Sequence, residues 1–209
     1  MTMEKSLQRQ QERLWSGALG RAYTERITTE VHPGRVRFMR ERILPLGPRA
    51  ILEVGCGTGL NLRALEQAGS GSRPLLVGID PEHVALEKLR GVATSVRIAR
   101  ASVFELPFGN GVFDLVMTIA VLIHMSPETL PRAMEEIYRV SGRYILTHEY
   151  FAEEETDILW HGRSGVLFKR NFLDHWQRRY PNLELVDTGY LMPDEGFDRM
   201  TFWVLRKRD

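Results

Sequence analysis

Ile51-Leu52-Glu53-Val54-Gly55-Cys56-Gly57-Thr58-Gly59 is the stretch whose reading decides the fold. A short apolar run ends in alternating glycines, so it reads as a buried strand entering a tight turn. Leu60, Leu62, Ala64, Leu65 and Ala68 follow at the spacing of a buried helix face. Strand, glycine turn and helix together open a parallel α/β unit.

Reading outward, the same alternation continues. Leu75–Asp80 (LLVGID) is a second strand, and Pro81 suits the first turn of a helix over 82–90. Val96–Ala99 is a third strand and Phe113–Thr118 a fourth. Ser126 as cap and Pro127 at the first position predict a helix running to about Val140. Arg143–Tyr150 is a fifth strand. A helix over 171–180 is closed by Pro181. Leu183–Asp187 and Met200–Leu205 have no helix between them, which suits an antiparallel pair. The expected class is α/β: a Rossmann-like, doubly wound, mostly parallel seven-stranded sheet with an antiparallel last strand. Ligands in such sheets sit beyond the strand carboxyl ends. That singles out Gly55–Gly59, Asp80, Ser102–Val103, Ile119–His124 and His148–Tyr150.

Composition bounds the function. The chain has 209 residues, 43% hydrophobic and 26% charged, enough for one sizeable core. Lys+Arg is 28 and Asp+Glu 27, so no strong global field attracts nucleic acid or anionic membrane. Cys56 is the single cysteine, which excludes an internal disulfide framework and a cysteine zinc site. There is no apolar run of membrane-spanning length and no secretory core near the N-terminus, so a cytoplasmic enzyme or binding protein is expected.

The glycine pattern is G-x-G-x-G. A dinucleotide fingerprint would need glycine at position 60, where Leu60 stands. Asp80, twenty-five residues after Gly55, ends the second strand, where a carboxylate can take both ribose hydroxyls of an adenosyl group. On ILEVGCGTG, GIDPE and ELPFGNGVFDLVMTIAVLIHM, residues 34–148 resemble the class I S-adenosylmethionine (SAM) dependent methyltransferases. The resemblance implies SAM as cofactor and S-adenosylhomocysteine as product. Its glycine loop would hold the methionine part, Asp80 the ribose, and Ser102 and Val103 the adenine. The implied cofactor set is Trp15, Glu53, Gly55, Cys56, Gly57, Thr58, Gly59, Asp80, Pro81, Ser102, Val103 and Ile119.

A narrower resemblance lies at the two ends. Leu14–Arg26 (LWSGALGRAYTER) is similar to the W-x-G-x-F-G-x-x-Y-x-x-R-N opening of the pseudaminic acid biosynthesis-associated methylases, with Leu19 and Ile27 departing from it. Leu167–Phe172 and LELVDTGY are similar as well. This implies a small polar acceptor such as a sugar or amino-sugar derivative. Gly17 and Gly20 interrupt the N-terminal helix, and Trp15 and Tyr23 suit a lid that excludes water from a cofactor. Residues 1–33 are therefore expected as a helical cap and 34–209 as the SAM-binding body of one domain.

Methyl transfer from a sulfonium needs alignment and disposal of a proton, and no metal. His124, after the fourth strand, is the leading proton acceptor, because histidine titrates near neutrality. Tyr23 and Glu149 join it as catalytic candidates. His148, Tyr150, Trp160 and Arg163 are candidates for holding substrate, with Lys169 and Arg170 as further cations for a carboxylate or phosphate. No metal site is expected, since the histidines lack ligand spacing with acids. The expected partner is a small-molecule substrate, with neither nucleic acid nor membrane, and a monomer or homodimer. Two other classes stay open: a nucleic-acid or protein methyltransferase, and a non-catalytic SAM-binding module.

Overall fold

The computed structural model describes residues 3–69, 73–93 and 95–208. The expected 1–33 cap and 34–209 body include residues 1, 2, 70–72, 94 and 209, which lie outside the described residues. Two helices come first, α1 (Met3–Trp15) and α2 (Ala18–Arg26), parted at Gly17. The short α3 (Pro33–Phe38) passes through a π-helical turn at Met39–Ile43 into β1 (Ala50–Val54). Then follow α4 (Leu60–Ala68), β2 (Leu75–Asp80), α5 (His83–Val92), β3 (Val96–Arg100) and β4 (Phe113–Ile119). Next come α6 (Leu130–Val140) and β5 (Ser141–Glu149). A small pair, β6 (Thr156–Asp157) and β7 (Phe168–Lys169), precedes α7 (Phe172–Arg179), β8 (Leu183–Leu191) and β9 (Met200–Lys207).

The seven main strands order as β3-β2-β1-β4-β5-β9-β8. All are parallel except β9, which runs antiparallel to both β5 and β8. This is the α/β sheet expected from the alternation, with the final pair antiparallel. The order reverses between β1 and β4, and ligands bind at such a switch point.

β1 is buried on both faces, which is why its sequence shows no polar alternation. Leu52 and Val54 pack with Val116, Ile137, Phe172 and Trp203 on one side. Ile51 packs with Leu62, Leu89, Met117 and Phe202 on the other. The two neighbours in sequence thus feed opposite cores.

α6 begins later than expected. Ser126 O accepts the N–H groups of Thr129 (3.0 Å) and Leu130 (2.9 Å), so 126–129 close a separate turn. Thr129 takes the cap position and Pro131 the first turn. The break expected at Gly17 is present, whereas Gly20, expected to interrupt the helix as well, lies inside α2. Among the described residues no helix is long and apolar enough to cross a membrane.

Candidate functional site

β1 runs into the glycine loop at the switch point. Gly55 has φ +73°, and a Cβ there would lie 2.5 Å from Val121 Cγ2. The loop therefore packs directly on the segment after β4, at a spacing only glycine allows. Gly57, at φ +51°, faces open space: a Cβ there would meet nothing within 4 Å. Asp80 stitches this loop to the end of β2. Its Oδ2 accepts the Gly57 N–H (2.9 Å) and its Oδ1 the Glu82 N–H (2.8 Å). Burial pushes its carboxyl up to about 6, against the pull of those two bonds.

The loop opens onto a cleft with about 860 Å3 of free space. Its floor and sides include Gly55, Gly57, Asp80, Pro81, Ser102, Val103, Ile119 and His124. α1 and α2 cover it with Trp15, Tyr23 and Thr24. Apart from Thr24 these are expected residues, and they converge on one cavity from six separate segments.

Four expected cofactor residues stand behind the wall instead. Cys56 donates its N–H to Ile79 O (2.9 Å), and its thiol packs on Gly78, where burial raises its pKa. Gly59 caps α4 in the left-handed region, and a Cβ there would meet Leu89. Thr58 is buried with no partner for its hydroxyl. Glu53 is 1% exposed; Oε1 accepts from Asn61 Nδ2 (2.6 Å), while Oε2 has no partner. Arg35 on α3 donates to Asn61 and lies 4.3 Å over the Phe197 ring. The strand-end acid thus belongs to a buried chain, Glu53–Asn61–Arg35, that braces the loop from behind.

Burial pushes Glu53 up to about 8 and Glu149 up to about 7. The folded protein holds these protons where the unfolded chain has released them. Their stabilisation is present at low pH and lost as pH rises through the folded values. His124 and His148 act oppositely, lowered by burial to about 4 and about 3, but that effect is complete above 6.5. The melting temperature is therefore expected to fall between pH 6.5 and 8.5. Glu53→Gln should flatten the upper part of that fall in a thermal denaturation series; an unchanged slope would remove Glu53 as its source.

The aromatic roof is continuous. Trp15 meets His124 at 4.3 Å between centroids, and Tyr23 and Trp160 each at 5.9 Å. Gln11 fastens α1 to the turn after β4: its Nε2 donates to His124 O (2.6 Å), and its Oε1 accepts from Thr129 Oγ1 (2.5 Å). His124 Nδ1–H donates to Val166 O (2.8 Å), leaving Nε2 as the lone-pair nitrogen. With its pKa near 4, His124 is neutral at physiological pH and a weak proton acceptor. The expectation of a base titrating near neutrality is corrected: burial without a carboxylate partner has removed that property. Accepting a hydrogen bond from an acceptor group remains open to Nε2.

The end of β5 also differs from expectation. Glu149 is fully buried and does not line the cleft. Its carboxylate accepts the N–H groups of Val121 (3.3 Å), Leu122 (3.0 Å) and Ile123 (3.1 Å). It holds the turn that carries His124, so it is a scaffold group rather than a catalytic one. His148 is also fully buried, with Nε2 on Met200 O (3.3 Å) and its ring against Phe197. It is not available to substrate. Tyr150 stands outside the cleft wall under Lys169, and burial raises it to about 12. Arg170, 0% exposed, pairs with Glu155 and donates to Leu122 O (3.4 Å) and Met125 O (2.8 Å). It supports the same turn and is no anion reader. Trp160 joins the aromatic roof, and Arg163 lies outside the cleft in a neighbouring groove.

Sequence reasoning missed Gln11 and Thr24, which also line the cleft, as do Ala120 and Val121 within the expected segment Ile119–His124. Ala120 adopts φ +57°, which costs a non-glycine residue roughly 1 kcal/mol and re-aims the chain after β4 over the loop. Alanine carries no signal for that conformation.

Residues 51–142 match a family model described as a methyltransferase domain. Curated relatives include a protein named tRNA U34 carboxymethyltransferase from Aliivibrio salmonicida, 40% identical over 86 residues, 38% of this chain and 25% of that one. Another of the same name from Shewanella denitrificans is 29% identical over 182 residues, 79% of this chain and 53% of that one. The chain thus spans a quarter to about half the length of these relatives. A crystal structure of Burkholderia thailandensis 1,6-didemethyltoxoflavin-N1-methyltransferase with bound 1,6-didemethyltoxoflavin and S-adenosylhomocysteine has a TM-score of 0.67 at 18% identity, over 99% of this chain and 90% of that one. Magnesium protoporphyrin IX methyltransferase from Synechocystis with bound S-adenosylhomocysteine has a TM-score of 0.68 at 12% identity, over 94% and 98%. The expectation that nucleic acid is no partner is overturned by the tRNA named in the relatives. A net charge near zero describes the whole surface and says nothing of a local site. The chain has the fold of these S-adenosylhomocysteine-bound methyltransferases, and its residues 51–142 match a methyltransferase domain.

Proposed function

We propose that the whole protein transfers a methyl group from SAM to a nitrogen or oxygen of a polar acceptor, and that this acceptor is a nucleotide of an RNA. The observation that carries the reading is the cleft between the Gly57–Asp80 loop and the Trp15–His124 roof. The open face of Gly57 and the Asp80 carboxylate lie side by side in its wall, which fits an adenosyl cofactor. When bound, SAM supplies an electrophilic methyl on a sulfonium.

The chain's own residues then divide the work. Asp80 accepts from ribose hydroxyls, while Ser102 and Val103 flank the adenine. Trp15 and Tyr23 exclude water from the reacting centre. His124 Nε2 orients the acceptor by taking a hydrogen bond, and the acceptor's proton leaves to solvent. The RNA acceptor is supported by the names of the relatives. The cytoplasm, where SAM and tRNA meet, is the place of action that goes with it.

A second reading is a free small polar metabolite, such as a sugar or amino-sugar derivative. The cover of α1 and α2 over the cleft favours it, as does the resemblance of LWSGALGRAYTER to the pseudaminic acid-associated methylases. Methyl-labelled SAM, incubated with the protein and a size-fractionated cell extract, tests both. Label in ribonuclease-sensitive material is expected. Label confined to the low-mass polar fraction would replace the first reading by the second. No label anywhere, with S-adenosylhomocysteine bound, would leave a SAM-binding module.

A further inference from the structure

A second cavity adjoins the cleft. It holds about 880 Å3 of free space between α1 and the segment 163–166. Leu7, Gln11 and Leu14 form one side, and Ser126, Arg163 and Val166 the other. Gln11 lines both cavities, and Val166, which lines the groove, holds the His124 ring through its backbone carbonyl, so the two spaces adjoin at Gln11 and His124.

The hairpin at the groove's mouth is unusual in what it carries. Trp160 and Arg163 exchange both backbone hydrogen bonds at 2.9 Å, with His161 (φ +48°) and Gly162 (φ +73°) as the two turn residues. Such a two-residue turn sets its flanking residues directly opposite each other, with Cβ atoms roughly 5 Å apart. Trp160 points its ring into the roof, against Trp15 and His124. Arg163 lines the groove, exposed, and among the described residues its side chain has no hydrogen-bond or ion-pair partner. Asp157, the nearby acid, is occupied by Ser164 Oγ and the Gly165 N–H (2.8 Å), which fix the turn that follows. Arg26 on α2 reaches His161 Nε2 at 3.3 Å and ties the hairpin to the cap.

We propose that this groove is the acceptor's entrance and that the Trp160–Arg163 hairpin is its clamp, taking a planar base on Trp160 and that base's phosphate on Arg163. An aromatic ring and an unpaired guanidinium on facing positions of one hairpin offer a stacking surface and an anion contact to one nucleotide. The cofactor and the acceptor then enter by separate doors and meet beside His124. The proposal rests on the nucleotide reading above and gives it an address.

The test uses the full chain saturated with S-adenosylhomocysteine, with uridine 5′-monophosphate, uridine and ribose 5-phosphate as probes, read by tryptophan fluorescence and competition. Uridine 5′-monophosphate is expected to quench the fluorescence and to bind about tenfold more tightly than uridine. Arg163→Ala should abolish that difference and leave uridine binding unchanged. Trp160→Leu should weaken uridine and its monophosphate alike. Arg163 is exposed on the hairpin, and S-adenosylhomocysteine affinity should be unaffected in its variant; Trp160 packs on Trp15 and His124, so its variant is read by the ratio of uridine to uridine 5′-monophosphate affinity, which should stay as in the wild type. Equal binding of uridine and its monophosphate by the wild type would overturn the Arg163 role. Ribose 5-phosphate competing as well as the nucleotide would overturn the planar site. Failure of S-adenosylhomocysteine to bind the wild type would instead sink the methyltransferase reading, and the two failures are thereby distinguishable.

Discussion

Asp80→Ala is expected to weaken S-adenosylhomocysteine binding by about tenfold or more, measured by calorimetric titration. One or two charge-assisted hydrogen bonds to the ribose are lost, each on the order of 1.5–3 kcal/mol. The structure adds a second cause. Without the carboxylate the N–H groups of Gly57 and Glu82 lose their acceptor, and the glycine loop keeps only its backbone ties from Gly55 and Cys56 to Ile79 O. Asp80→Asn should fall between wild type and alanine, because an amide oxygen keeps one of the two backbone bonds. Wild-type affinity in the alanine variant would remove Asp80 from the cofactor site.

Glu149→Ala is expected to lower the melting temperature by roughly 10 °C, for a loss on the order of 3–5 kcal/mol. The cost comes from the three buried N–H groups of residues 121–123 that the carboxylate satisfies. Glu149→Gln should lose less, since its amide oxygen still accepts while its NH2 opposes another donor. The same variants separate scaffold from chemistry. A scaffold group loses stability and activity together, whereas a catalytic acid would lose activity with the melting point unmoved. A melting point within about 2 °C of wild type in the alanine variant would overturn the scaffold assignment.

Much of the architecture is legible in the chain, for local reasons. Leu52 and Val54 in an unbroken apolar run announce a strand covered on both faces. Pro81 and Pro181 bound helices wherever they occur. Gly55 and Gly57 mark a backbone that must turn tightly against something else, and Asp80 stands where a strand end meets that turn. The start of α6 was misread because Ser126-Pro127 carries the signature of a helix cap and of a turn alike. Here Ser126 O takes the N–H groups of Thr129 and Leu130 and closes a turn, so the helix cap falls at Thr129, whose hydroxyl is bonded to Gln11, more than a hundred residues away.

The candidate site was legible only where function needs backbone geometry. Gly55, Gly57 and Asp80 could be placed by position. His124, Glu149 and Arg170 could not be told apart as chemical groups, since each is a polar residue near a strand end. Burial decides among them. It gives His124 a pKa near 4, sets Glu149 under three amides, and turns Arg170 onto two carbonyls and Glu155.

The sequence by itself determined the strand order class, the glycine loop and its acid, because periodicity, glycine and proline act through local backbone preference. Only the tertiary structure decided which side chains face the cleft, which brace it from behind, and that α1 and the Trp160–Arg163 hairpin enclose it. Those outcomes depend on desolvation and on partners brought together by folding, and neither is a property of any short stretch of chain.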